Sequence, residues 1–278
     1  MPGLLRAEAR KIASTRLWWA LLIPVSLLTV SINLFGSFVG MGLGDLGGDP
    51  SPVLLASLAY ALGLTGVFAA VHGIVSAAGE FRHRTITTTY LASGGRGRVL
   101  VAKMLAAGVV GVGYAATAVL LGLVAGLIGQ GDAWPPALGA LATVAGTGLL
   151  VCWLWSVIGV ALGTVLTNQV AVLVLGLVYI LAGENVLSVA LTSGGDRLVE
   201  PSAFARLAAY LPVNAGDVAL YDLPARELAG ERYGPLVVEQ LVGVAEPPPG
   251  WVALLVLAVW AAAAAATGWV VGGRRDVT

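Results

Sequence analysis

The sequence predicts an all-α integral membrane protein with six spanning helices, and three observations support that prediction. Hydrophobic residues make up 58% of the 278-residue chain and charged residues only 11%, about half the charged fraction that is typical of a soluble domain. Six apolar runs recur between charges or turn-forming residues, and each reaches the ~20 residues needed to cross a bilayer. Basic residues are concentrated near both termini and in one loop, as in segments retained inside a cell.

The six spans follow in chain order, and each is bounded by charges or turn-forming residues. They are expected at residues 17–39, 53–78, 99–128, 137–166, 170–191 and 251–271. A polar segment, 192–250, separates the last two spans. Within it, Phe204, Leu207, Ala208 and Leu211 are spaced as on one face of a short helix, which Pro212 would end.

Charge fixes the expected orientation. Eleven of the fifteen Lys and Arg residues lie at the N-terminus, around the loop between spans two and three, or at the C-terminus, whereas eleven of the fifteen Asp and Glu residues lie on the opposite side. The positive-inside rule then places both termini and the loop 80–98 in the cytoplasm, and the segment 192–250 outside. We expect the chain in the plasma membrane as a multi-pass protein.

Residues before the first span have the pattern of a short amphipathic helix on the inner membrane surface. The apolar positions share one helical face: Leu5, Ala9, Ile12 and Ala13. The basic positions lie away from that face: Arg6, Arg10 and Lys11. An ordinary positive flank of the first span is the alternative interpretation.

The loop after span two contains a second short helical pattern, over residues 85–92. Ile86 and Tyr90 are four residues apart and would share a helical face, which a soluble partner could contact. The candidate contact residues are Glu80, Arg82, Thr85, Ile86, Tyr90 and Leu91. The alternative is a basic loop that lies against lipid headgroups.

These features together resemble the permease subunit of ABC-2 type ABC transporters, and most closely the actinobacterial drug- or lipid-export kind. The topology resembles that family over the whole chain. The residue-level resemblance is confined to Glu80-Phe-Arg-His-Arg-Thr-Ile-Thr-Thr-Thr-Tyr-Leu and Arg96-Gly-Arg-Val-Leu-Val-Ala-Lys103. Two departures stand out: Arg84 occupies a position where Gly is usual, and Ser93-Gly94-Gly95 stands where Pro is frequent.

The resemblance implies a division of the chain into an elbow helix, 1–16, and a six-span domain, 17–278. It implies that residues 85–92 form a coupling helix seated on a separate ATPase subunit, which would hold ATP and Mg²⁺. It also implies outer helices after span five that partly re-enter the membrane, and a second permease copy, like or unlike. The function implied is outward movement of a hydrophobic or amphipathic drug, antibiotic or lipid.

The chain itself has no motif for ATP hydrolysis or other catalysis. No G-x-x-x-x-G-K-[ST] occurs, so a P-loop is excluded, and neither H-E-x-x-H nor G-x-S-x-G is present. Two histidines, His72 and His83, are too few for a histidine metal cluster. We therefore expect no enzyme activity, cofactor, metal or nucleic-acid partner in this chain. A non-transport assembly or immunity protein is the alternative function.

Three polar residues within the spans are possible pathway residues: Glu184, Asn185 and His72. An ionisable residue inside a membrane is a functional candidate by default. For Glu184 the alternative is a helix end that meets water or a re-entrant break, and for His72 it is a packed or water-contacting histidine. The two lie toward opposite sides of the bilayer, so we expect no direct contact between them.

Overall fold

A computed structural model describes residues 2–45, 49–82, 95–131, 135–192 and 203–274. Every regular element in these ranges is helical. The elements are α1 (Pro2–Ser14), α2 (Leu17–Asp45), α3 (Ser51–Arg82), α4 (Arg96–Gln130), α5 (Leu138–Val165), α6 (Gln169–Val178), a π-helix (Tyr179–Gly183), α7 (Glu184–Thr192), α8 (Ala203–Leu207), a 3₁₀-helix (Ala208–Tyr210), α9 (Pro212–Val242) and α10 (Gly250–Arg274).

Within these described ranges, six helices are long and apolar enough to cross a bilayer, which agrees with the predicted number of spans and indicates a multi-pass membrane protein. They are Leu17–Asp45, Ser51–Arg82, Arg96–Gln130, Leu138–Val165, Gln169–Leu191 and Gly250–Arg274. The helices α3 and α4 have 32 and 35 residues, or about 48 and 52 Å at ~1.5 Å per residue, and so extend beyond a hydrocarbon core of ~30 Å.

The bundle has two ends of different charge. The basic end carries α1, the last turn of α3 with Arg82, the first turn of α4 with Arg96, and the C-terminus of α10 with Arg274. The acidic end carries the α2–α3 and α4–α5 connections and the helices that lie between spans five and six. The last turn of α3 and the first turn of α4, which flank residues 83–94 in the sequence, both lie at the basic end.

The helix α3 is the centre of the bundle, since it packs against α2, α4, α5, α6 and α9. Its contact with α5 is the closest one, because glycines face backbone there. A Cβ atom on Gly159 would collide with the carbonyl group of Ala70, and one on Gly163 would lie 2.6 Å from the carbonyl oxygen of Ile74. Small residues let the two backbones approach and gain dispersion contacts in the absence of any aqueous driving force.

The polar segment between spans five and six contains a long helix that sequence reasoning missed. The pattern predicted a short helix ended by Pro212, but Pro212 is the first residue of the 31-residue α9. Proline is well tolerated there, because the N–H groups of the first helical turn have no partner within the helix, so the missing N–H of proline costs no hydrogen bond. A kink at Gly230, with φ 75° and ψ 168°, divides α9.

The start of α9 lies deep along the bundle rather than at its surface. The indole N–H of Trp260 donates to the carbonyl oxygen of Tyr210 at 2.9 Å, and Trp260 is the eleventh residue of the 25-residue α10. Pro212 also lines a groove together with Thr267, still nearer the basic end of α10. The chain therefore descends through α8 to about the middle of α10 before α9 returns toward the acidic end.

Candidate functional site

Four charged side chains form a compact cluster at the basic end. The ammonium of Lys103 lies 2.9 Å from Glu8 Oε2 and 2.8 Å from Glu80 Oε1. The ammonium of Lys11 lies 2.7 Å from Glu8 Oε1 and 2.8 Å from Glu80 Oε1. Two carboxylates therefore face two ammonium groups, and the formal charges cancel. We call Glu8, Lys11, Glu80 and Lys103 the ionic cluster.

The cluster is largely sheltered from water. The side chains of Lys103, Glu8 and Glu80 are 5%, 6% and 10% exposed, whereas that of Lys11 is 40% exposed. Burial by itself would raise the pKa of Glu8, but the charge of Lys103 and hydrogen bonds from Lys11 and Lys103 lower it overall. Burial likewise opposes the charge on Lys11, yet its bonds to Glu8 and Glu80 raise its pKa. All these shifts favour the charged forms.

The cluster joins three elements around the segment 83–94. Glu8 and Lys11 come from α1, Glu80 from the last turns of α3, and Lys103 from the second turn of α4. Two further bonds hold the flanks of the segment. The guanidinium of Arg82 donates to Gln169 Oε1 at 3.4 Å, and that of Arg96 donates to the Gly273 carbonyl at 3.1 Å. Both flanks are thus tied to neighbouring helices.

A cavity of about 470 Å³ lies beside the ionic cluster, between α1 and α3, and His72 lines it. The His72 side chain is 1% exposed and meets the Tyr114 ring edge-on, with centroids 6.1 Å apart and an interplanar angle of 87°. Its Nδ1 atom has no hydrogen-bond partner among the described residues. The packed alternative that the sequence allowed for this histidine therefore agrees with its position.

A second cavity, of about 520 Å³, lies nearer the acidic end, between α3, α5, α7 and α9. We call it the outer cavity. Its wall is mostly apolar, with Leu64, Val67 and Ile180 among the lining residues. Tyr60 and Leu228 also line it and are 52% and 47% exposed. The outer cavity is therefore reachable from outside the protomer.

Asp217 is the acidic side chain among the described residues that line the outer cavity, and burial and the charge of Glu184 raise its pKa to about 7. One oxygen of Asp217 and the phenol oxygen of Tyr221 would lie 3.3 and 3.5 Å from a Cβ atom built on Gly63. Both groups therefore reach the bare backbone of α3. The carboxyl group of Asp217 forms no hydrogen bond or ion pair within the described part of the chain.

Glu184 lies behind the outer cavity and holds the start of α9. Its carboxylate accepts the backbone N–H groups of Val213 and Asn214 at 2.9 and 2.6 Å, and the hydroxyl of Tyr179 at 2.9 Å. At 1% exposure it does not meet water, so the expectation of a solvated helix end is replaced by a buried cap. The first N–H groups of a helix lack partners within the helix, and the negative charge of a carboxylate there also interacts favourably with the helix dipole.

An apolar groove of about 510 Å³ adjoins the outer cavity on the side of the basic end. Ile74, Leu162, Val172 and Thr267 line it. Trp155 and Ile180 line both the groove and the outer cavity, and Ile180 lies within the π-helix. Single π turns inside α-helices are frequent at functional sites. The pair forms a thin partition between two adjoining spaces.

The structure brings some of the predicted site residues together and separates others. Glu80 and Lys11 meet in the ionic cluster, so Lys11 turns toward the protein rather than away from it. Arg6 and Arg10 are exposed, while Leu5 and Ile12 are partly buried. Asn185 is exposed, lines the outer cavity and donates to the Leu181 carbonyl at 3.4 Å.

Part of the predicted contact surface cannot be placed. Thr85, Ile86, Tyr90 and Leu91 lie outside the described residues, as does His83. No group of three or more potential metal ligands occurs in the described ranges.

Sequence reasoning missed Glu8, Lys103, Asp217 and Tyr221. A signal existed for the first two. Glu8 and Lys11 are three residues apart on one helix, a spacing that favours an ion pair, and Lys103 is a charge within an otherwise apolar run. No comparable signal marks Asp217 among the eleven acidic residues of its side.

No protein-family model matches the chain, and no characterised protein matches it.

Proposed function

We propose that this chain is the membrane subunit of an ATP-driven exporter of the ABC-2 type, and that a separate ATPase subunit supplies the energy. The observation that carries the proposal is the ionic cluster, which ties α1 to both flanks of the segment 83–94. In such an exporter residues 85–92 of this segment would form the coupling helix, and residues 1–16, which include α1, would form the elbow helix. The missing P-loop fits a subunit that leaves ATP to its partner.

The cluster gives the proposed coupling a mechanical basis. A force on residues 83–94 acts directly on the ends of α3 and α4, which Glu80 and Lys103 connect to each other and to Glu8. Breaking a buried ion pair costs about 3–5 kcal/mol, so the three elements are expected to move as one body. The central helix α3 then carries the displacement to α5 and α9, against which it packs.

The groove and the outer cavity supply a route for an amphipathic cargo. The groove is lined almost wholly by apolar side chains, whereas the outer cavity adds Asp217, Asn185 and Tyr221. A molecule with an apolar body and a polar end could enter the groove from the bilayer and pass the partition at Trp155 and Ile180. The depth of α8 and the start of α9 supports the re-entrant outer helices that the resemblance implies.

The orientation follows from charge. With the basic end in the cytoplasm, the ionic cluster lies where a soluble ATPase could reach the neighbouring segment, and the outer cavity lies toward the exterior. A plasma-membrane location and cytoplasmic termini belong to the same proposal, as does a pair of permease copies.

The test is purification of the tagged full chain from its native membranes, followed by reconstitution into liposomes. We expect a P-loop ATPase to copurify in stoichiometric amount, and the pair to move a lipophilic dye outward only with ATP. The double variant Ile86→Asp with Tyr90→Asp should abolish both results, because two carboxylates would disrupt an apolar docking face.

The matched control is Tyr233→Asp with Leu236→Asp, which makes the same change at exposed apolar positions, 54% and 52% exposed, beyond the Gly230 kink of α9 on the opposite side. This control variant should still copurify with the ATPase. If the Ile86 and Tyr90 variant kept a fully active complex, the docking proposal would be wrong. Protection of cells without any ATPase would instead favour an assembly or immunity protein.

A further inference from the structure

We propose that the outer cavity binds an organic cation with a bulky apolar body, and that Asp217 is the counter-ion for its positive charge. This inference deepens the proposed function, and it rests on that function for the route by which the cation arrives. Binding itself needs only this chain, because every group involved belongs to α3, α5, α7 or α9.

The charge distribution of the cavity is one-sided. No Lys, Arg or His is among the described residues that line it, and the Asp217 carboxylate has no hydrogen-bonding or ionic partner in the described ranges. The charge that acts on Asp217 is that of Glu184, which is also negative. Because these two acidic groups act on the cavity and no basic side chain lines it among the described residues, the cavity attracts a cation and repels an anion.

The partners of the two carboxylates show which one is available. Glu184 is surrounded by three donors, two of them backbone N–H groups at the start of α9. Asp217 lies one turn further along α9 with no donor of its own and lines the cavity. Asp217 is partly exposed toward the cavity, and an ionised carboxylate in a mostly apolar wall without a partner is unfavourable, so a bound cation would stabilise it.

The remaining wall suits the apolar body of such a ligand. Tyr60, Tyr221 and Trp155 line the cavity beside aliphatic residues, and aromatic faces attract cations in addition to excluding water. A volume of about 520 Å³ falls within the range of ~300–1,000 Å³ that is usual for drug-sized ligands. Gly63 lets the carboxyl group of Asp217 and the hydroxyl of Tyr221 pack against the bare α3 backbone, where a Cβ atom would lie 3.3 and 3.5 Å from their oxygens.

The test compares two ions of nearly the same size and shape but opposite charge. Purified full-length protein in lipid nanodiscs is titrated with radiolabelled tetraphenylphosphonium and, separately, with tetraphenylborate. We expect saturable binding of the phosphonium with at least tenfold higher affinity than of the borate. The variant Asp217→Asn should weaken phosphonium binding at least tenfold and leave borate binding unchanged.

The control is Glu227→Gln, which removes one negative charge from the same helix at an exposed position outside the cavity. It should bind phosphonium within twofold of the unmodified chain. Equal binding of both ions by the unmodified chain, or undiminished phosphonium binding by Asp217→Asn, would overturn the proposal. Asp217→Glu keeps the charge and should retain binding, which tests the assignment even if the Asn variant is poorly folded.

The outcome separates this inference from the proposed function. Asp217-dependent phosphonium binding without ATP-driven movement would leave the cation site in place and reject the exporter. ATP-driven export of a neutral lipophilic dye that Asp217→Asn does not alter, together with no charge preference in binding, would reject the cation site and leave the exporter.

Discussion

The ionic cluster and the outer cavity hold their acidic side chains in opposite ways. At the basic end, Glu8 and Glu80 face Lys11 and Lys103 at 2.7–2.9 Å, and every charge has an opposite neighbour. In the outer cavity, Asp217 has no such neighbour in the described part of the chain. Desolvated charge is stable only when something compensates it. The first region is compensated by its own residues, whereas Asp217 is left without a counter-ion in the described part of the chain, as the proposed cation site requires.

Glu184 is an instructive third case, because it is buried without a base but is still compensated. Three hydrogen-bond donors and the positive end of the α9 dipole take the place of a counter-ion. The contrast with Asp217 therefore does not depend on the presence of Lys or Arg. It depends on whether the carboxylate oxygens are occupied.

The largest expected effect is that of Lys103→Met on stability. The substitution keeps the volume but leaves Glu8 and Glu80 facing each other with only the half-exposed Lys11 between them. We expect a loss of about 3–5 kcal/mol in the free energy of unfolding, measured in mixed micelles with increasing SDS.

The matched comparison within the cluster is Lys11→Met. This side chain makes the same pair of contacts but is 40% exposed, so water screens it, and we expect a loss of only about 0.5–1 kcal/mol. Equal losses for the two variants would mean that burial does not set the strength of the cluster.

The cluster also shows what the sequence could and could not predict. The six spans, the charged ends and a helix before span one followed from composition and periodicity. The contact between Lys103 and Glu8 did not follow from these patterns. The two residues are 95 positions apart in the sequence, and their approach depends on how α1 packs against α4. The sequence pattern favoured a basic helix facing the membrane surface, and tertiary pairing turned Lys11 inward instead.

The next largest expected effect on stability is that of Glu184→Gln. An amide can accept a hydrogen bond through its oxygen, but its NH₂ group would face donors at the start of α9 and leave one of them unsatisfied. We expect a loss of about 1–3 kcal/mol in the same unfolding assay. Glu227→Gln makes the identical change at an exposed position and should stay within ~0.5 kcal/mol of the unmodified chain; a similar loss there would remove the argument for a cap.

Stability of the cluster should depend on pH in a defined direction. Because the pKa of Glu8 is lowered from 4.5, its contribution is fully present above pH 4.5 and is lost as the pH falls through the lowered value. Because the pKa of Lys11 is raised from 10.5, its contribution is present below pH 10.5 and is lost as the pH rises through the raised value.

The measurement is the difference in unfolding temperature between the unmodified chain and Glu8→Gln across pH. The difference should be constant between pH 4.5 and pH 10.5 and should shrink on acidification below that interval. A difference that shrinks near neutral pH instead would mean that a group other than Glu8 controls the contact.

The outer cavity was the part least accessible to sequence reasoning. Asp217 is one acid among many in a polar segment, where Pro212 was expected to end a short helix. The long helix that carries Asp217 also contains Pro224 and Pro235, and proline is normally unfavourable inside a helix. The position of Asp217 follows from the Glu184 cap, which fixes the start of α9 deep in the bundle. Gly63 opposite was indistinguishable from any other membrane-helix glycine.

The smallest expected effect, and the sharpest for the comparison, is that of Asp217→Asn on stability. Without a cation, the carboxylate has no partner to lose, and a neutral amide is less costly to shelter. The variant should therefore unfold within ~0.5 kcal/mol of the unmodified chain, and any change should be stabilising. Addition of tetraphenylphosphonium should reverse the order, because only the unmodified chain gains from binding. A loss as large as that of Glu184→Gln in the absence of ligand would show that Asp217 is compensated from within, and the two regions would no longer differ in kind.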